Sequence, residues 1–420
     1  MKVPEEDLRI GMETYVTSTR PIKARIRQVL DDFLVEEIIK PDAIIKIHKR
    51  PHEEDKYVIL KIIKRGEDTI KTVSKISSEL GLKIGKIKFL GLKDSRSVSV
   101  QYLCISASDI DLKRLRKIQA TFIGWINRLL TKEDLLGNKF LIRVVIDNRG
   151  YERVIIEALD QIEEKGVPNF YSYQRFGYPR GITHIIGRFI VKREFKKAVL
   201  AYLTMRSGFE RKEIEEWRRE LEGDFNFKRA YKTVPRGLIY EKMMLRALIR
   251  HNNYLKALRA LPITLRKLFV NAYQSLLFNK SLSRRILRGN PITRPVTGDL
   301  CYDYRRKRIT TQKYDSSFVV PALQVIGFGY KKLDGEQTEV DEEIMKEEEI
   351  TPKMFYIKEM PEISCKGGIR RACLTFWDLS TEILRERKEI LLSFKLSKGE
   401  YATTLLREII KPRSPIKQGF

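Results

Sequence analysis

A chain of 420 residues, 42% of them apolar, is too long for one small core and too apolar for a disordered tail, so two domains are expected. Its 82 Lys and Arg outnumber 55 Asp and Glu to give a net charge of +27, which favours a polyanionic partner. No apolar run approaches the roughly 18 residues that cross a bilayer and no leader with an apolar stretch is seen, so nucleic acid is expected in preference to membrane.

In chain order, Tyr57–Ile63 (YVILKII) reads as a buried strand. A helix follows from Thr69, with Ile70, Val73, Ile76 and Leu80 on one face and Gly81 as its stop. Two apolar runs, Ile87–Leu90 and Val98–Ile105, flank the glycine-led loop Gly91-Leu92-Lys93-Asp94-Ser95-Arg96. Phe140–Ile146 is a further β-rich run, and Tyr151–Lys165 is an amphipathic helix ended by Gly166-Val167-Pro168, the first candidate domain boundary. Beyond it Glu213–Leu221, Tyr240–Leu258 and Ile263–Leu287 carry helical spacing, and Arg294–Tyr330 carries short β runs and turns. The segment Asp334–Glu349 holds nine acids against Lys346 and reads as a solvated insertion or loop. The last sixty residues return to β character, including Leu391–Leu396.

Phosphate-cradling glycine loops, a G-x-S-x-G elbow and a Cys/His nucleophile pairing all fail to match. The four cysteines and four histidines are dispersed, with no C-x-x-C pair, so neither a zinc site nor a disulfide framework is expected, and the compartment reads as the reducing cytoplasm. That leaves Asp94, a carboxylate between Lys93 and Arg96, where neighbouring cations favour the ionised form. Several other segments combine amide, arginine and aromatic residues beyond what packing requires. They are Asp32–Glu37 (DFLVEE), Gly137–Phe140 (GNKF), Asn169–Gly177 (NFYSYQRFG), Asn271–Asn279 (NAYQSLLFN) and Lys398–Glu408 (KGEYATTLLRE).

Together with the Asp94 loop, this set resembles the TruD family of tRNA pseudouridine synthases. The family pattern G-x-K-D-x-x-A-x-[ST]-x-Q is met at Gly91, Lys93, Asp94, Ser99 and Gln101 and missed at the alanine, a departure read as falling on Val98. The resemblance runs from Arg27 to Lys411. It implies an α+β fold: a catalytic domain with a long mixed or antiparallel sheet flanked by helices, from residues 1–167 and 370–420, interrupted by an inserted α/β domain at 168–369. It implies conversion of a uridine of tRNA, typically position 13, to pseudouridine after the base is flipped into a pocket, with no cofactor and no metal. By the same resemblance Asp94 is the essential carboxylate, as nucleophile or as the base that gives a glycal. Arg27 is its cationic partner, with Lys93 the alternative. Phe33 stacks near the base, Asn138 and Phe140 are site residues, and Tyr401 lies at the rim. A monomer is expected, with tRNA as partner and neither a membrane nor a nucleotide cofactor.

The phosphate contacts are expected from Arg193, Lys196, Lys197, Arg284, Arg285, Arg288 and the run Arg305–Arg308. Competing readings of the same residues are an RNA-binding protein without catalysis and a base methyltransferase. The latter needs a glycine-rich cofactor turn that the chain does not show. Asn271 and Gln274 are equally read as a polar stripe that ties two domains together.

Overall fold

The chain is described here by a computed structural model covering residues 2–93, 95–111, 120–147, 150–311 and 318–420; Asp94, the acid singled out above, lies outside them. The strands in order are β1 (Ala24–Ile26), β2 (Phe33–Ile39), β3 (Tyr57–Arg65), β4 (Ile87–Phe89), β5 (Val98–Ser106), β6 (Ala120–Ile126), β7 (Leu135–Ile146), β8 (Leu300–Asp303), β9 (Arg308–Thr311), β10 (Val319–Val325), β11 (Gly368–Arg371), β12 (Phe376–Leu384) and β13 (Glu389–Ser397). The fold is α+β, and the chain divides into two units. One comprises residues 19–157, 374–402 and 409–420, the other residues 1–18, 158–373 and 403–408.

The first unit is built on a mixed sheet, nine-stranded among the described residues. Its order is β12-β13-β7-β2-β5-β3-β6, with β1 also beside β7 and β4 also beside β5. β2 and β5 run parallel, so the chain between them must cross over, and it does so through β3, the helix Thr69–Leu80 and β4. That helix starts where the Asp68 carboxylate accepts the Lys71 amide at 2.9 Å and stops at Gly81 in the left-handed conformation. Its buried stripe is Thr69, Val73, Ile76 and Leu80, packed with Val58, Leu60, Ile62 and Leu103 of β3 and β5. Ile70, expected on that stripe, is exposed, because it sits about 100° around the helix from Thr69, which takes the inward place.

In the second unit the helix Ile263–Leu287 is the central element and is buried along most of its length. Beside it stands the four-stranded antiparallel sheet β11-β10-β8-β9. The polar residues of this helix fasten backbone of the same unit. Asn279 accepts the Tyr171 amide and donates to the carbonyls of Ile10 and Tyr171, each at 2.8 Å, while Gln274 donates to the Ile326 carbonyl at 2.7 Å. Two further motif segments are structural. Arg407, wholly buried, donates to the Asp7 carboxylate at 2.6 Å, which also takes the Tyr173 hydroxyl.

The acidic segment is a packed helix, Glu336–Glu347, and not the solvated loop expected from its charge. Val340, Ile344 and Met345 are buried. Its acids meet cations of the helix Ile263–Leu287: Glu343 with Arg288 at 2.7 Å, Glu347 with Arg284, and the following Glu348 with Lys280 at 2.5 Å. The sequence offered no sign of this because the partners lie some sixty residues upstream.

Asp341 on this helix is buried, taking the Ser281 hydroxyl at 2.5 Å and the Tyr330 hydroxyl at 3.2 Å. Burial pushes its pKa up from an ordinary 3.8 to about 7. A raised folded-state value means the native protein holds the proton more tightly than the unfolded chain. The associated stability is therefore fully present below about pH 4 and is lost as pH rises through about 7. Asp341→Asn is expected to match the parent near pH 4 and to exceed it by about 2–4 kcal/mol at pH 8, as measured by urea denaturation at the two pH values.

Candidate active site

Side chains alternate across a strand, so the register of β13, β7, β2, β5 and β3 decides what meets on one face of the first unit's sheet. Asn138 of β7 stands between Glu37 of β2 and Leu396 of β13. One row along, Phe140 stands between Val35 and Phe394, and Val35 is followed by Ser99 of β5 and Lys64 of β3. Phe33, Gln101 and Ile142 point the same way. The sheet thus gathers on one surface residues from parts of the chain up to about 360 positions apart. Glu36 points to the other surface, where its carboxylate takes Lys61 at 2.8 Å and raises the pKa of that lysine.

Gly137 permits the β7–β13 contact beside Asn138. A Cβ there would lie 2.0 Å from the Leu396 carbonyl oxygen, so no larger residue fits without moving a strand.

Three of the expected site residues form one cluster. The Arg27 guanidinium lies 4.1 Å over the Phe33 ring and donates to the Gly419 carbonyl at 3.0 Å. Phe33 meets Phe140 edge-on at 6.0 Å between centroids, and Phe140 stacks on Phe394 at 5.4 Å. All three rings are buried. Arg27 has a φ of 55°, a left-handed conformation rare outside glycine. Asn138 is half-buried, and its side-chain oxygen has no hydrogen-bond partner among the described residues. An acceptor in that state is an invitation to a donor on a ligand. Tyr401 is half-buried immediately before the helix Ala402–Ile410.

Lys93 is held from every side. Its ammonium donates to Glu37 Oε1 at 2.7 Å, in an ion pair whose carboxylate side chain is 0% exposed and whose lysine is 10% exposed. Its amide donates to Thr69 Oγ1 at 2.9 Å, and its carbonyl accepts from Lys64 Nζ at 3.3 Å. Two residues earlier the Gly91 carbonyl accepts from Gln101 Nε2 at 2.7 Å, while Gln101 Oε1 takes the Thr69 hydroxyl at 2.9 Å. Glu37 Oε2 in turn accepts the Tyr102 amide at 3.0 Å. Counted from Gly91, Ser97 and not Val98 stands at the alanine position of the motif, and it shares a 3.0 Å hydrogen bond with Ser99. Lys93 thus serves Glu37 and pins the chain just before Asp94.

Glu37, Thr69 and Lys64 were not among the candidates. The available signal was charge inside an apolar strand, Glu36-Glu37 in FLVEEII and Lys64 in YVILKIIKR, with no mark of which of the two acids faces inward.

Several of the cations expected to meet phosphate have partners within the protein. Arg285 is buried and bidentate to Asp299 at 2.6 and 2.8 Å, Arg284 and Arg288 hold the acidic helix, and Arg193 donates to the Tyr356 carbonyl at 2.5 Å. Lys197 pairs with Glu194 at 2.8 Å. Arg305, Arg306, Lys307 and Arg308 are exposed around the β8–β9 turn. Among the described residues no three His, Cys, Asp or Glu side chains are disposed to hold a metal ion, and no helix is long and apolar enough to cross a membrane.

Three comparisons bear on this site. A family model described as tRNA pseudouridine synthase D (TruD) matches residues 9–409. A Methanopyrus kandleri protein assigned to tRNA pseudouridine synthase D is 36% identical over 352 residues, which is 82% of each chain. A Pyrobaculum islandicum protein of the same assignment is 30% identical over 426 residues, covering 100% of both. A crystal structure of a Methanosarcina mazei protein described as a TruD synthase superposes with a TM-score of 0.78 at 30% identity, covering 99% of this chain and 100% of that one.

Proposed function

Since this chain belongs to the TruD family of tRNA pseudouridine synthases, enzymes that isomerise uridine in RNA, we propose that it draws one tRNA uridine out of its stack and rearranges it on the carboxylate of Asp94. The position taken is the one the family resemblance implies, 13 of tRNA. The observation that carries the reading is the clamp on Gly91–Lys93: four hydrogen bonds fix the backbone and ammonium that lead into Asp94. Fixed backbone immediately before a catalytic acid is what positioning of its chemistry requires.

The reaction breaks the N1–C1′ bond, turns the uracil and joins C5 to C1′. The proton at C5 is lost and N1 gains one, so product and substrate contain the same atoms. Neither an oxidant nor a co-substrate enters the balance, which is why no cofactor is proposed. Asp94 acts at the ribose side, either by adding to C1′ or by taking a sugar proton to give a glycal. Both roles need it ionised, and we assign the accompanying positive charge to Arg27, whose guanidinium is kept in place by the Phe33 ring and the Gly419 carbonyl. Phe33 and Phe140 form the apolar floor of the pocket. Asn138 offers its side-chain oxygen to the uracil edge, whose N3–H is a donor. Tyr401 closes the rim. We assign the catalytic domain to residues 1–167 and 370–420, the inserted domain to 168–369, and the enzyme's place of work to the cytoplasm as a monomer.

Incubation with an unmodified tRNA transcript, followed by carbodiimide mapping, tests the reading. Pseudouridine at one site with no change in RNA mass is the expected result, and a transcript without it would defeat the proposal. Binding should be strongly ionic: raising salt from roughly 50 to 200 mM should weaken tRNA affinity by about 10³-fold if some six phosphates are contacted. Filter binding across that range checks it.

A further inference from the structure

The β8–β9 hairpin and its sheet are not accounted for by the chemistry above. Register and burial give this sheet two unlike faces. On one, Cys301, Val319 and Leu323 are buried. On the other lie Tyr302, Ile309 and Ile369, the last two 38% and 45% exposed, with Tyr304 and Phe318 38% and 40% exposed just beyond the strand ends. Large apolar and aromatic groups at this density on an open sheet face are a cost in water unless something covers them.

The open face is also cationic and arranged. Tyr302 and Tyr304 meet edge-on at 5.2 Å. The Arg371 guanidinium lies 5.6 and 5.8 Å from their centroids and donates to the Tyr304 hydroxyl at 3.4 Å. Arg305 stacks on the Phe318 ring at 3.3 Å. The turn that follows is Arg305-Arg306-Lys307-Arg308, with Lys307 in the left-handed conformation at φ 51°. The hairpin's acid, Asp303, points to the buried side, accepts the amides of Arg305 and Arg306 at 2.9 Å each and lies 3.8 Å from the Arg306 guanidinium, so its one charge is matched by Arg306 and the turn keeps a surplus of cations.

We propose that this face is a second RNA site, a platform on which unpaired nucleotides of the tRNA stack, remote in sequence from the Asp94 loop. Rings and guanidinium planes offer π surfaces to any base, and the turn's cations track the phosphates between them. A duplex hides its base faces, so single-stranded nucleotides of a loop or junction are the ligand. An acidic protein would match the charge, but it brings few flat π faces to the rings and guanidinium planes, whereas every unpaired nucleotide brings one. The inference rests on the tRNA reading, since it names where more of that same substrate is held.

The test uses the full chain and an unmodified tRNA transcript. Tyr304→Ala is expected to weaken tRNA binding by about tenfold or more, the loss of one base–ring stack, with the change in KM and not in kcat. Its salt dependence should match that of the parent. Tyr304→Phe, which keeps the ring, should restore affinity. Lys307→Glu should weaken binding and flatten the salt dependence instead. Ultraviolet cross-linking should join an unpaired nucleotide to the peptide carrying Tyr302 and Tyr304. Parent-like affinity in Tyr304→Ala, an equal loss in Tyr304→Phe, or a loss confined to Lys307→Glu would overturn the platform. A parent that makes no pseudouridine and binds no tRNA defeats the functional reading itself, so the two failures are distinguishable.

Discussion

Asp94→Asn is expected to lower the single-turnover rate of pseudouridine formation by about 10⁴-fold or more while tRNA still binds. A carboxamide keeps the size and most of the hydrogen-bonding pattern of the acid, but it can neither add to C1′ nor accept a sugar proton. The backbone into residue 94 is fixed by contacts to Lys93 and Gly91 that this change does not touch, so folding and binding should survive. Asp94→Glu, which returns the charge one methylene further out, should recover little, because an ångström of misplacement can cost about a hundredfold. Mapped pseudouridine at parental rate in Asp94→Asn would remove the carboxylate from the mechanism.

The second large effect is expected at Glu37. Glu37→Gln keeps one acceptor oxygen, enough for the Tyr102 amide, but turns a donor towards the Gln101 amide and leaves the Lys93 ammonium nearly buried without its counter-charge. Breaking one side of such a pair costs about 3–5 kcal/mol, far above the value of an exposed pair. The rate should fall with it, since the lysine whose backbone leads into Asp94 is the one released. Adding Lys93→Met to Glu37→Gln removes the orphaned charge and should return most of the stability without the activity. Urea denaturation and single-turnover kinetics on the three proteins separate the two consequences. Unchanged stability and rate in Glu37→Gln would show that the clamp has no part in the site.

The local features of this site were readable from the chain, while its long-range pairings were not. The strand YVILKII and the helix from Thr69 to Leu80 follow from apolar runs, period and caps, and the structure shows both. The order of the motifs pointed to the family. What could not be read is which charge faces which. Glu37 and Lys93 are 56 positions apart, and nothing local distinguishes inward Glu37 from outward Glu36. The same blindness turned Arg284, Arg285 and Arg288 into expected phosphate contacts and the acidic helix into an expected loop. Each is one half of a pair whose other half lies outside its own stretch of sequence, fourteen residues on for Arg285 and some sixty for Arg284 and Arg288, and composition counts the halves separately.

β7 carries Asn138 and Phe140, and it has β13 along one edge, supplied only from residue 389 onward. On the ribosome the N-terminal strands must therefore wait, with that edge bare, while more than two hundred residues of the other unit are synthesised. An unpaired strand edge is a template for intermolecular pairing. The nascent chain is thus prone to aggregate until translation is nearly finished, and a stop codon before β13 is expected to yield an insoluble fragment in which Phe140 lacks its Phe394 neighbour.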